Sequence, residues 1–197
     1  EELTADELLD KALRYRTYWG DKGGITVSGG EALMQMEFVT ELFEKAHAMG
    51  VTTCLDTSAQ PFTREEPWFG DFAKLMAVTD TVLLDIKHID DEAHRRLTRF
   101  GNANILDCAR YLSDIGKPVW IRHVLVPGIT DDEASLVRLH DFLCSLSNIE
   151  RIDVLPYHTL GTFKYEKLGI AYPLRDTPTP TPESVARARN ILEGTIG

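Results

Sequence analysis

The sequence predicts an α/β fold with a parallel, barrel-like sheet. Two observations carry this. Short hydrophobic strands alternate with helical patterns along the chain, and such βα units pair in parallel through right-handed crossovers. Each strand also runs into residues capable of polar chemistry: Ser28-Gly29-Gly30-Glu31, Asp56-Thr57, Asp85-Ile86-Lys87, Arg122-His123 and Tyr157-His158. Ligands in parallel α/β folds sit at the carboxyl ends of the strands, so five polar strand ends point to one assembled site.

The first helix is expected over 4–18. Thr4 and Glu7 form a capping box, and Leu8, Leu9 and Leu13 mark its apolar face. A strand follows at 23–28, then a helix over 35–49 with Phe38, Val39, Leu42, Phe43 and Ala46 as its stripe and Gly50 as its stop. Strand 51–56 leads into a loop over 59–67 and a helix ending near Met76. Strand 80–86 is rich in Val and Leu, as a strand covered on both faces should be. Helices at 90–99 and 103–115 precede strand 118–125. Thr130 and Glu133 suggest a second capping box, opening a helix over 131–146. The last strand is 150–155, with Asp153 read on its outer face. The segment 156–180 reads as an ordered functional loop, with Tyr157, Phe163, Tyr165, Leu168 and Tyr172 to bury. A final helix begins near Pro182.

The chain has 197 residues, 43% hydrophobic and 26% charged, with a net charge of −10. This fits one soluble domain over 1–197. The acidity argues against a general nucleic-acid surface, and no apolar run reaches membrane-spanning length. Cys54, Cys108 and Cys144 are dispersed and odd in number, which suits a reducing, cytoplasmic setting better than a disulfide framework. The chain opens on a helical pattern without an initiator Met and reads as a piece of a longer protein. His47, His88, His94 and His140 fall on helices or loop edges and read as solvated.

Strand parity sharpens the site. Leu83, Asp85 and Lys87 share one face, as do Thr26, Ser28 and Gly30, and Cys54 and Asp56. Their neighbours Val27, Leu55, Leu84 and Ile86 are apolar. Gly29 and Gly30 allow close approach of a ligand to the backbone, and Glu31 could accept from an amine. Asp85 beside Lys87 suits a zwitterionic ligand, although an ordinary surface ion pair has the same composition.

The run Gly23 to Ala32, with Gly29-Gly30-Glu31 at its centre, resembles the segment that binds the methionyl amine in radical S-adenosylmethionine (radical SAM) enzymes. Thr53 to Thr57, Leu84 to Lys87, Trp120 to Gly128 and Leu155 to Gly161 resemble, in order, the glycyl-radical activases of that family. The resemblance implies a partial (β/α)6 TIM-like barrel of radical SAM type, here without its first strand. It implies S-adenosylmethionine held by Gly29, Gly30, Glu31, Asp85, Ile86, Lys87, Arg122 and His158, and a monovalent cation at Asp56, Thr57, Leu83 and Asp85. It implies reductive cleavage of the ligand to a 5′-deoxyadenosyl radical that takes a hydrogen from a glycine loop of pyruvate formate-lyase. A flavodoxin-type reductant and a monomeric enzyme go with it. The family's [4Fe-4S] cluster is held by a Cys-x3-Cys-x2-Cys motif that this chain lacks, so no catalytic residue is assigned and the chain alone is expected to be inactive. Activation of another glycyl radical enzyme, or a cluster-free S-adenosylmethionine or nucleotide-binding homologue, are the alternatives.

Overall fold

The computed structural model describes residues 2–20, 23–160 and 162–194. Five strands hydrogen-bond in sequence order: β1 (Gly24–Val27), β2 (Thr52–Thr57), β3 (Thr81–Asp85), β4 (Val119–Leu125) and β5 (Ile149–Pro156). The pairing is parallel, with Thr26 opposite Cys54 and Asp56 opposite Leu83. Helices α1 (Ala5–Leu13), α2 (Met36–Ala48), α3 (Trp68–Ala77), α4 (Asp91–Thr98), α5 (Ala103–Asp114), α6 (Glu133–Cys144), α7 (Thr162–Lys167) and α8 (Pro182–Glu193) fill the connections. The α/β class and the parallel sheet are as the sequence predicts. β1 stands at an edge of the order, paired with β2.

The residues fall into two compact units. The first comprises Glu1–Asp85, Ala103–Ile121 and Leu146–Arg151. The Thr4–Glu7 capping box is present, but α1 stops at Leu13 and continues as a single 3-10 turn at Arg16–Tyr18. Asp6 on α1 pairs with Lys45 on α2 at 2.6 Å. α2 buries Val39, Leu42, Phe43 and Ala46, while Phe38 is only half-buried. Phe72, Leu75 and Met76 of α3, and Ile105, Cys108, Ala109 and Leu112 of α5, complete the helical side of this core. Thr53, Leu55, Thr57, Val82, Leu84, Val119 and Ile121 are the buried sheet residues of the unit.

The second unit comprises Ile86–Asn102, Arg122–Ser145 and Ile152–Gly197. Its core takes Leu136, Leu139 and Leu143 from α6, and Val185, Ala188 and Leu192 from α8. Thr130 is not the α6 cap. Its hydroxyl donates to the Val124 carbonyl and accepts from the Val126 amide, both at 2.7 Å, which closes the turn after β4. Asp132 caps α6 instead, accepting from the Ser135 amide at 2.9 Å. A carboxylate also complements the positive helix end better than a hydroxyl does.

Asp153 alternates with buried neighbours on β5. Ile152 and Val154 are buried and Asp153 between them is half-buried. Arg122 sits in the same relation to its buried neighbours Ile121 and His123. Asp153 therefore lies on the less covered face of its strand, opposite its buried neighbours. Among the described residues of 156–180, Thr162–Lys167 form α7 rather than loop, and the Tyr157 hydroxyl lies 2.8 Å from that of Tyr172 and 3.1 Å from the Leu174 carbonyl. Burial and this hydrogen bond push the Tyr172 hydroxyl up to about 12. Phe163 and Leu168, by contrast, stay exposed, so tyrosine hydrogen bonding rather than an apolar cluster fixes the segment.

Candidate functional site

In the first unit, β2 and β3 alternate strictly. Thr53, Leu55 and Thr57 are buried on one face, and Cys54 and Asp56 are half-buried on the other; in β3, Val82 and Leu84 are buried while Leu83 and Asp85 are half-buried. Because Asp56 pairs directly with Leu83, Asp85 stands one step further along the same face. The Asp56 and Asp85 side chains thus share the half-buried face of two neighbouring strands, with Leu83 beside Asp56. Like charges so placed favour a bound cation between them, and oxygen donors of this kind suit a hard alkali ion.

Gly29 and Gly30 follow β1 with φ of +94° and +52°, which glycine adopts without the Cβ clash other residues suffer. A Cβ built at either position meets nothing within 4 Å. The turn is therefore open to a ligand as well as specific to glycine.

Glu31 and Thr57 are already committed. One Glu31 oxygen accepts from the Leu33 amide at 3.1 Å and from the Thr57 hydroxyl at 2.5 Å. The other accepts from the Ser58 amide at 3.0 Å and the Ser58 hydroxyl at 2.6 Å. The Thr57 hydroxyl also accepts from the Ala59 amide at 2.8 Å. Parity and these bonds turn the Thr57 side chain away from Asp56, leaving its backbone carbonyl as the group it could offer a cation.

In the second unit, Lys87 and Arg122 are half-buried and His158 is exposed. The His158 Nδ1 accepts from the Leu160 amide at 3.4 Å. Gly161, which closes that motif, lies outside the described residues. Ile86 turns its side chain into the core, 1% exposed. Its amide donates to the Arg122 carbonyl, and its carbonyl lies 2.9 Å from the His123 Nδ1.

Two of the four histidines read as solvated are buried. His94 packs with its Nδ1 2.7 Å from the Phe100 carbonyl. His88, 4% exposed, accepts the Asp90 amide at its Nδ1, while Asn102 donates to the carbonyls of His88 and Ile89. The signal was available in Asn102, a residue suited to closing turns over exposed carbonyls. His47 and His140 are partly buried and bonded to Asp80 and the Leu192 carbonyl respectively.

Burial holds the His88 imidazole below the ordinary histidine range, against the opposing pull of Asp90 and Asp132. The unfolded chain then binds a proton near pH 6.5 that the folded chain resists. Stability should therefore fall as pH drops through 6.5 and level off below the folded value. Urea midpoints measured from about pH 7.5 to about pH 5.5 (about one unit either side of the histidine value) should decline, and His88→Asn, which retains an acceptor for the Asp90 amide, should flatten that decline. An unchanged slope in the variant removes His88 as its cause.

The profile of the Radical SAM superfamily matches residues 1–140. A pyruvate formate-lyase-activating enzyme of Streptococcus mutans is 51% identical over 97% of this chain and 73% of its own length. The chain belongs to the radical SAM superfamily. A pyruvate formate-lyase-activating enzyme of Listeria monocytogenes is 46% identical over 98% of this chain and 78% of its own length. The crystal structure of a domain of a pyruvate-formate lyase-activating enzyme from Bacteroides vulgatus superposes with a TM-score of 0.71 at 25% identity, covering 87% of this chain and 93% of that one. The radical SAM family implies S-adenosylmethionine and a [4Fe-4S] cluster. The open glycine turn and the half-buried acidic face fit the former. The cysteines of this chain do not fit the latter: Cys108 is buried, Cys54 half-buried and Cys144 exposed, and no three metal-ligating side chains gather among the described residues. Burial also pushes the Cys108 thiol up, further from a ligating thiolate. Among the described residues no helix is long and apolar enough to cross a membrane.

Proposed function

We propose that this chain is the S-adenosylmethionine-binding domain of a glycyl-radical activase, serving pyruvate formate-lyase as its protein substrate. The observation that supports it most directly is the open Gly29-Gly30 turn in the same unit as the half-buried Asp56, Leu83 and Asp85. When bound, S-adenosylmethionine would supply hydrogen-abstracting chemistry: one electron from the family's cluster would split it into methionine and a 5′-deoxyadenosyl radical able to take a hydrogen from a glycine Cα. The chain's own residues bind and orient. The backbone of Gly29 and Gly30 holds the ammonium group. A monovalent cation at Asp56, Asp85 and the carbonyls of Leu83 and Thr57 screens the two carboxylates from that of the ligand. Lys87 adds a compensating charge at the methionyl and ribose portions, Arg122 a further contact, and His158 the ribose or adenine side. A flavodoxin-type reductant, a cytoplasmic location and a monomeric state complete the reading.

Isothermal titration of the chain with S-adenosylmethionine, in sodium-free buffer with and without potassium, tests this. Weak binding tightened by potassium is expected. A flat titration in both buffers overturns it.

A further inference from the structure

The Glu31 carboxylate has the charge to receive an ammonium ion, yet its hydrogen bonds point elsewhere. Its two oxygens take four donors from three residues: Leu33 in the turn that follows β1, and Thr57 and Ser58 at the end of β2. A carboxylate offers about four acceptor sites, so this one is filled by the protein. Glu31 is half-buried, where such charge-assisted bonds are stronger than in water. Its backbone carbonyl is taken as well, by the Met34 amide at 3.1 Å.

We infer that Glu31 is a positioning residue: a clamp joining the Gly29-Gly30 turn to the Asp56-Thr57 strand end, so that the backbone facing the ligand's amine and the acidic face holding the cation are set as one piece. The inference rests on the proposed S-adenosylmethionine site. Two features of the geometry carry it. Gly29 and Gly30 have no side chains, and a Cβ built at either would touch nothing. The neighbouring Glu31 therefore supplies anchoring that the turn itself cannot. The clamp also reaches β2 at the residue next to Asp56, and the Thr57 hydroxyl it binds accepts from the Ala59 amide. That fixes the peptide whose carbonyl is offered to the cation. Strain at either end is thereby felt at the other. Ammonium and cation sites that share one rigid support should be coupled, and such coupling is reciprocal.

Glu31→Gln tests the clamp with almost no change of shape. The amide keeps one oxygen but places an NH2 against donors that the second carboxylate oxygen now receives. Without ligand, hydrogen exchange of the Leu33 or Ser58 amide should quicken about tenfold or more, the loss expected for one charge-assisted hydrogen bond. With ligand, affinity for S-adenosylmethionine should fall roughly ten- to a hundredfold. The factor by which potassium tightens that binding should also shrink towards one. A residue that merely stabilised the fold would leave this factor alone. Thr57→Ser, which keeps the hydroxyl, should retain the coupling, and Thr57→Val should lose it. If the wild-type chain binds the ligand, and Glu31→Gln matches it in affinity and potassium response, the clamp is refuted while the site stands. If the wild-type chain does not bind, the site reading fails and takes the clamp's role in binding with it. Unchanged exchange at both amides refutes the clamp without reference to any ligand.

Discussion

Asp85→Asn should weaken S-adenosylmethionine binding by roughly ten- to a hundredfold, the worth of one charge-assisted contact of about 1.5–3 kcal/mol. It should also abolish most of the potassium dependence. Asp85 is at the carboxyl end of β3, on the half-buried face where Asp56 stands opposite Leu83. An asparagine keeps the volume and an acceptor oxygen but halves the negative charge that draws the cation. Without the cation, repulsion between the Asp56 carboxylate and that of the ligand is less well offset. The comparison needs an aspartate remote from the sheet. Asp153 does not qualify, because it lies on the less covered face of β5. Asp10, exposed on α1, does. Titration of Asp85→Asn and Asp10→Asn with and without potassium should separate them. Equal behaviour of the two variants removes Asp85 from the site. In the full-length activase, the same substitution should lower glycyl-radical yield, measured by electron paramagnetic resonance.

Phe43→Ala should be the most damaging change to the fold. The ring is fully buried on α2 among Val39, Leu42 and Ala46. Removing a buried phenylalanine costs about 3–5 kcal/mol, combining lost transfer energy with the cavity left behind. A domain typically has about 5–15 kcal/mol in total, so the variant should sit near its folding limit. Its melting temperature should fall by roughly 6–20 °C. Phe38→Ala, on the same helix but half-buried, should lose less than half as much. Urea denaturation with an unchanged slope would assign the difference to native packing.

The residues that behaved as read are those whose signals are local. The Thr4–Glu7 capping box spans four residues and formed as its spacing requires. The apolar stripe of α2 needs only helical periodicity and some face to cover it, and Val39, Leu42, Phe43 and Ala46 are buried accordingly. Strand parity separated Leu55 and Leu84 from Asp56 and Asp85, because a pleated backbone alternates whatever packs against it. The element order, the parallel sheet and the polar strand ends all follow from patterns of this range.

What the tertiary structure decided depends on partners distant along the chain. The cap of α6 passed from Thr130 to Asp132 because the Thr130 hydroxyl found two backbone partners in the turn after β4. His88 went into the core because Asn102, fourteen residues on, closes over its carbonyl. Glu31 became a saturated clamp rather than a free acceptor because parallel pairing brings the end of β2, twenty-six residues away, beside the turn after β1. Sequence by itself determined which residues could bond, since chemistry belongs to the side chain. Only the fold decided which bonds they made, because a polar group about to be buried takes the nearest satisfying partner, and nearness in space is set by the sheet.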